Sequence, residues 1–335
     1  MATMATMMIP TIHCIRACGR HTIRAPLRAA AYATASSSSA NANISSVTGR
    51  PRAAAIHVGG GSSLNAISLD IDDAGVVDMR LNRPKVMNAF DMPMWDELRE
   101  AFAMVDRDAN ARCVVLSGAG NAFSAGMDLS VFGEMQATFQ GEKCAARARE
   151  HLFDLIKWYQ DAISAPERCR VPVLAAVHGA CVGGAVDLVT ACDLRYSTED
   201  AFFSVKEVDL AIVADIGTLQ RLPKIVGDQT AREMAYTGRN VGGAEAAQLG
   251  LTVRGDFADA DALRAGVGEV AAAIAGKSPV TIRGVKRTLV YARDHPVDEA
   301  LHQVALYNSA MLFSEDLDTA FGAAMAKQAP EFKRT

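Results

Sequence analysis

Two stretches of this chain repeat one local plan, and that plan constrains the fold more than any overall property does. Val114-Val115-Leu116-Ser117-Gly118 leads into Asn121-Ala122-Phe123-Ser124-Ala125-Gly126-Met127-Asp128-Leu129, and Val173-Leu174-Ala175-Ala176-Val177-His178-Gly179 leads into Cys181-Val182-Gly183-Gly184-Ala185-Val186-Asp187. Each is a short apolar run, then a turn of small residues, then a helix start. Such runs are strands buried in an α/β sheet. Small residues let a ligand approach backbone N–H groups, and the unpaired N–H groups of a helix start favour developing negative charge. Two such turns facing each other would make an oxyanion hole. From spacing alone, tight packing of helix on strand explains the same glycines.

The surrounding pattern fits an α/β class. Residues 67–71 and 76–81 alternate with period two about Asp72-Asp73-Ala74-Gly75, which predicts a β-hairpin. Trp95, Leu98, Phe102 and Val105 predict a helix over 92–105, with Asp91 as N-cap and Pro93 in the first turn. Leu152, Leu155, Ile156, Tyr159 and Ile163 predict another over 142–165. A strand at 194–196 and a loop through Asp215 precede a region read as nearly all helix from Gly217, divided at Pro279, Pro296 and Ser314-Glu315-Asp316. The expected organisation is an α/β core over 65–258 and a helical region over 259–335 that packs on another subunit.

Charge separates the N-terminus from the rest. Of 34 Lys and Arg, six arginines (Arg16, Arg20, Arg24, Arg28, Arg50, Arg52) precede Asp70, and none of the 38 acidic residues does. From Asp70 onward 28 basic residues face 38 acidic ones, a balance that disfavours nucleic-acid binding. The acid-free, Arg-, Ala- and Ser-rich start reads as a mitochondrial transit peptide, with a flexible linker completing residues 1–64. The matrix is the expected location. Stable membrane insertion is not expected, since nowhere do about 18 apolar residues run together. Cys113, Cys144, Cys169, Cys181 and Cys192 show no ligand spacing, so free thiols and no metal are expected.

Asn82-Arg83-Pro84 with Asn88-Ala89-Phe90, then Phe123-Ser124-Ala125-Gly126-Met127-Asp128, then His178-Gly179 with Gly183-Gly184, together resemble the crotonase (enoyl-CoA hydratase/isomerase) superfamily. The resemblance covers residues 65 to 330 and implies a ββα spiral core with a helical C-terminal trimerisation region. The run Gly183 to Asp193, with Val205-Lys206-Glu207-Val208-Asp209 and Ala214-Asp215-Ile216-Gly217, is similar to the Δ3,5-Δ2,4-dienoyl-CoA isomerase branch. Ala185 departs from that branch's third glycine, and its methyl is expected to narrow the pocket. The resemblance implies the peptide N–H groups of Ala125 and Gly184 as the oxyanion hole, and acids at Asp187, Glu207 and Asp215. It further implies CoA-phosphate contacts at Arg83, Lys85 and Lys327, an acyl-CoA thioester substrate, a homotrimer or homohexamer, and no cofactor beyond the CoA of the substrate.

Moving a diene from 3,5 to 2,4 takes a proton from C2 and returns one at C6, which one carboxylate reaches poorly. Within the resemblance, Glu207 is the base and Asp215 the acid, kept protonated by its apolar stretch Leu210 to Ile216. Asp187, in a first helical turn, is expected to be ionised and to act electrostatically. Enoyl-CoA hydration is the enzymatic alternative, and a non-catalytic crotonase-fold binding protein is the other. His178 and Ser124 read as structural, Asp128 as a local cap, and Arg283, Lys286, Arg287 and Arg293 as a solvated basic face.

Overall fold

The computed structural model describes residues 64–333. The expected leader and linker, apart from Leu64, lie outside the described residues. Within them the chain runs β1 (Ile67–Ile71), β2 (Val76–Leu81), α1 (Met92–Arg107), β3 (Cys113–Gly118), α2 (Leu129–Gly141), α3 (Ala145–Ile163), α4 (Ala165–Arg168), β4 (Val173–Val177), β5 (Ala180–Val182) and α5 (Gly184–Thr190). It continues through β6 (Leu194–Thr198), β7 (Phe202–Ser204), a 3₁₀ turn (Lys206–Leu210), α6 (Thr218–Val226), α7 (Asp228–Thr237), β8 (Val241–Gly242), α8 (Gly243–Gln248) and β9 (Arg254–Phe257). It ends in α9 (Ala260–Ala275), α10 (Pro279–Asp294), α11 (Val297–Met311) and α12 (Glu315–Ala326).

The hairpin forms because Asp72 Oδ1 accepts from the N–H groups of Ala74 and Val76, both at 2.9 Å, and Gly75 takes φ +86°. Strands then order as β1-β2-β3-β4-β6-β9, antiparallel only at β1-β2. A smaller sheet orders β5-β7-β8.

Every residue of β3 and β4 is buried, and their alternation divides them between two apolar layers. Val114, Leu116, Val173, Ala175 and Val177 join the layer that holds α1 and α5. Cys113, Val115, Leu174 and Ala176 meet Leu263, Val267 and Ala271 of α9 on the other face. With both faces covered, the strands read as continuous apolar runs.

Three local expectations change. The helix expected over 142–165 is α3 alone, preceded by a separate α2 capped by Asp128 and followed by the short α4 that begins Ala165-Pro166. The region after Gly217 contains β8 and β9, whose two to four residues are too few to show a period. Lys286, read as part of a solvated face, is buried: its Nζ donates to the carbonyls of Pro166 (2.7 Å) and Val171 (2.9 Å) and pairs with Asp193 at 2.8 Å. It ties α10 to the segments on either side of β4.

Candidate active site

The two small-residue turns are stitched side by side. Phe123 N donates to His178 O (2.8 Å), Ser124 N to Ala180 O (3.0 Å) and Val182 N to Ser124 O (3.1 Å). Asn88, fully buried at φ +53°, supports the first turn: its Nδ2 lies 2.9 Å from the carbonyls of Ala119 and Ala122, and its Oδ1 accepts from Arg83 N at 2.8 Å. Ser124 Oγ donates to Asn88 O (2.8 Å) and accepts from Gly126 N (3.0 Å). His178 Nε2 sits 2.8 Å from Gly120 O. Ser124 and His178 thus hold the loop.

Within this loop the donors differ from the expected set. The Ala125 N–H is not available to a ligand, because it donates to Met87 O at 2.8 Å. Phe90 N donates to Gly126 O and Asp128 N to Phe90 O, so the loop is pinned on both sides of Met127. The Met127 N–H itself meets no acceptor among the described residues. Gly184 N, at the first position of α5, is unpaired in the same way. A methyl placed on Gly126 (φ +82°) would stand 3.1 Å from Gly184 N, so the loops meet closely here. Two adjacent free N–H groups therefore exist, from Met127 and Gly184.

The three acids gather beside them. Asp187 is fully buried in α5, its Oδ1 accepting from Thr218 N at 2.5 Å while Oδ2 has no partner among the described residues. Glu207, in the 3₁₀ turn, is half-buried; a methyl on Gly183 (φ +56°) would lie 3.3 Å from its Oε1, and its Oε2 is also unpartnered. Burial and the nearby Glu207 push the Asp187 carboxyl up to about 7. Burial likewise raises Glu207, offset in part by a hydrogen bond with Asp187. Two buried carboxyls this close cannot both ionise cheaply, so the pair retains a proton more readily than either acid would alone. The first-turn dipole, expected to keep Asp187 ionised, is outweighed by complete desolvation and a like charge.

Asp215 lies at the rim. The residue is exposed, and in its supposedly burying stretch Leu210 and Val213 face outward, leaving Ala214 and Ile216 inside. Desolvation still raises its carboxyl, the direction expected, and its charge acts on both Glu207 and Asp187. Ile216 and the Phe90 ring lie 3.7 Å from where a methyl on Gly184 would stand, giving the donors an apolar wall. Ala185 is fully buried in the core layer, so its methyl packs there rather than narrowing this site.

The cationic set is only partly brought here. Arg83 does not offer a free guanidinium: it donates to Ala89 O and pairs with Asp91 (2.9 Å) and Asp128 (3.5 Å), bracing the loop. Lys85 is exposed on the 3₁₀ turn Pro84–Val86, which packs against Gly120 of the first loop. Lys327 caps α12 at φ +55° and makes no hydrogen bond or ion pair with the acids among the described residues. Sequence reasoning missed Met127, whose role depends on which neighbouring N–H groups are already used. It quoted Asn88 in a motif without a role; an Asn after a turn is the available signal for positive φ.

Residues 72–334 match the enoyl-CoA hydratase/isomerase family. The chain is 46% identical over 262 residues to the peroxisomal Delta(3,5)-Delta(2,4)-dienoyl-CoA isomerase of Arabidopsis thaliana, covering 78% of this chain and 94% of that protein. It is 46% identical over 243 residues to the mitochondrial enzyme of that name from Homo sapiens, covering 72% and 74%. The crystal structure of an enoyl-CoA hydratase from Bacillus anthracis superposes with TM-score 0.73 at 28% identity, over 81% of this chain and all of that one.

Proposed function

The chain belongs to the enoyl-CoA hydratase/isomerase family and has its fold, and from that premise we propose that it is a Δ3,5-Δ2,4-dienoyl-CoA isomerase of unsaturated fatty-acid oxidation. The observation that carries this reading is three carboxyls with raised proton affinity, spread from interior to rim, beside two unpaired backbone donors.

In the proposed mechanism the thioester oxygen lies between the N–H groups of Met127 and Gly184. These donors strengthen as negative charge develops on that oxygen, and one such donor is worth about 10² to 10³ in rate. Glu207, over Gly183 and next to the Gly184 donor, takes the C2 proton. Asp215, protonated and further out, gives a proton to C6. Glu207 ends protonated and Asp215 ionised, and exchange with water resets both. Protonated Asp187 donates to Glu207 and keeps it the ionised member of the buried pair, free to accept the C2 proton. Only protons move, so this chemistry calls for no cofactor beyond the CoA of the substrate.

Three further parts belong to the proposal. Lys85 is the best-placed phosphate contact, since Arg83 is committed, while Lys327 reaches CoA only from a neighbouring subunit. A homotrimer or homohexamer is supported by the exposed apolar side chains of the C-terminal helices and the turns between them: Val297, Leu301, Leu306, Phe313, Phe321 and Met325. The mitochondrial matrix is supported by the arginine-rich, acid-free N-terminus. No helix among the described residues is long and apolar enough to cross a membrane.

The test is to incubate the protein with a 3,5-dienoyl-CoA and follow the rise of the conjugated-thioester chromophore. Appearance of the 2,4-diene supports the reading. Water addition to a 2-enoyl-CoA, with no diene conversion, replaces it with hydration.

A further inference from the structure

The segment that carries Asp215 is held by few bonds. Its entry is set where Ala211 takes φ +56° and Ile212 N donates to Glu207 O at 3.0 Å. Its exit is set by Gly217 at φ +146° and by Thr218 N on Asp187. Between these points, among the described residues, the backbone of 213–216 has one hydrogen bond from elsewhere: Gln160 Nε2 donates to Asp215 O at 2.7 Å.

Gln160 is itself firmly placed. Its chain neighbour Tyr159 is buried, with its ring 4.7 Å from Trp95 and its hydroxyl 3.5 Å from Met92 Sδ. Its other neighbour, Asp161, pairs with Arg99 of α1 at 3.0 Å. Lys157 Nζ donates to Gln160 Oε1 at 2.9 Å, which turns the amide's donor end toward Asp215. The amide is also neutral. A cation at this place would stabilise the ionised form of Asp215 and weaken it as a proton donor.

We infer that Gln160 is a positioning residue for the general acid, fixing the Asp215 main chain from α3 through a neutral donor that keeps the Lys157 ammonium at the far end of its amide. The inference rests on the proposed isomerase reading. A general acid displaced by about 1 Å loses on the order of 10²-fold in rate, so a single backbone hold can matter this much.

The test uses the full-length protein carrying Gln160→Met, which keeps the length and removes the donor, and Gln160→Lys, which keeps a donor and adds charge. For Gln160→Met, kcat for 3,5-dienoyl-CoA conversion is expected to fall about 10- to 100-fold with KM within about twofold. Exchange of the C2 proton with D2O, which needs only Glu207, keeps the wild-type rate. Gln160→Lys recovers most of kcat at low pH, and its alkaline limb moves to lower pH. An unchanged kcat in Gln160→Met overturns the inference, as does a parallel fall of C2 exchange and conversion, which marks a general structural effect. Wild-type protein that forms no 2,4-diene overturns the isomerase reading itself, and this inference with it.

Discussion

Asp187 Oδ1 accepts a hydrogen bond from the backbone N–H of Thr218, 31 residues later in the chain. A buried acid of the site thus caps α6, whose own preceding residue, Gly217, has no side chain to do so. The same carboxyl touches Glu207, so one residue fixes both the end of the Asp215 segment and the protonation of the base.

Asp187→Asn should stabilise the protein above neutral pH. The folded-state value of Asp187 is raised to about 7, so its favourable state is the protonated one, and stability is lost as pH rises from the ordinary carboxylate range toward that value. Asn keeps an acceptor for Thr218 and cannot ionise. Denaturant unfolding should show a gain of about 1–3 kcal/mol at pH 8 and none near pH 4. Isomerase activity should fall, because Glu207 loses the partner with which it shares a proton.

Glu207→Gln and Asp215→Asn should separate the two proton transfers. Removing the base abolishes exchange of the C2 proton with D2O and lowers conversion by about 10² to 10⁴. Removing the acid lowers conversion comparably and leaves C2 exchange in place. Mass spectrometry of recovered substrate distinguishes the two, and loss of exchange in Asp215→Asn would contradict the assignment.

The pH–rate profile should be bell-shaped with both limbs displaced upward. Glu207 must be ionised and is raised by burial, so the acidic limb lies above the ordinary glutamate range. Asp215 must be protonated and is raised too, so activity survives to higher pH than an ordinary aspartic acid would allow, then falls. In Asp215→Asn the alkaline limb should vanish from the residual rate.

Gly126→Ala and Gly184→Ala should differ sharply. A methyl on Gly126 would lie 2.4 Å from Val182 O in a left-handed backbone, forcing the two loops apart. A methyl on Gly184 meets side chains at ordinary 3.7 Å contact. The first variant should lose more than about 2 kcal/mol and nearly all activity, while the second should fold normally. Thermal melts and acyl-CoA turnover check both.

Lys286→Met should destabilise the fold by about 2–4 kcal/mol, because the Pro166 and Val171 carbonyls lose a buried donor and Asp193, still held by Val173 N, loses its ion pair. Mature activity per folded molecule should change little.

The parts of this site that rest on local pattern were readable along the chain. The hairpin turn, the Asp91 cap, β3, β4 and both small-residue turns depend on neighbours in sequence, and they appear where expected. The gathering of Asp187, Glu207 and Asp215 entered through family resemblance, since their spacing alone suited caps and loop acids. The misreadings have a common cause. Ala125 and Arg83 carry the right chemical groups, but Met87 O takes one, and Ala89 O, Asp91 and Asp128 take the other. Lys286 is a typical surface residue by type, but Pro166 O, Val171 O and Asp193 hold it in the interior.

Continuous apolar runs, small-residue turns and capping residues determine, from the sequence alone, a sheet covered on both faces and two small-residue turns at its strand ends. Tertiary structure decides which N–H groups remain free, which carboxyl keeps its proton and which cations are already spent. Those outcomes depend on desolvation and on hydrogen-bond partners supplied by segments tens of residues away, and no local pattern encodes them.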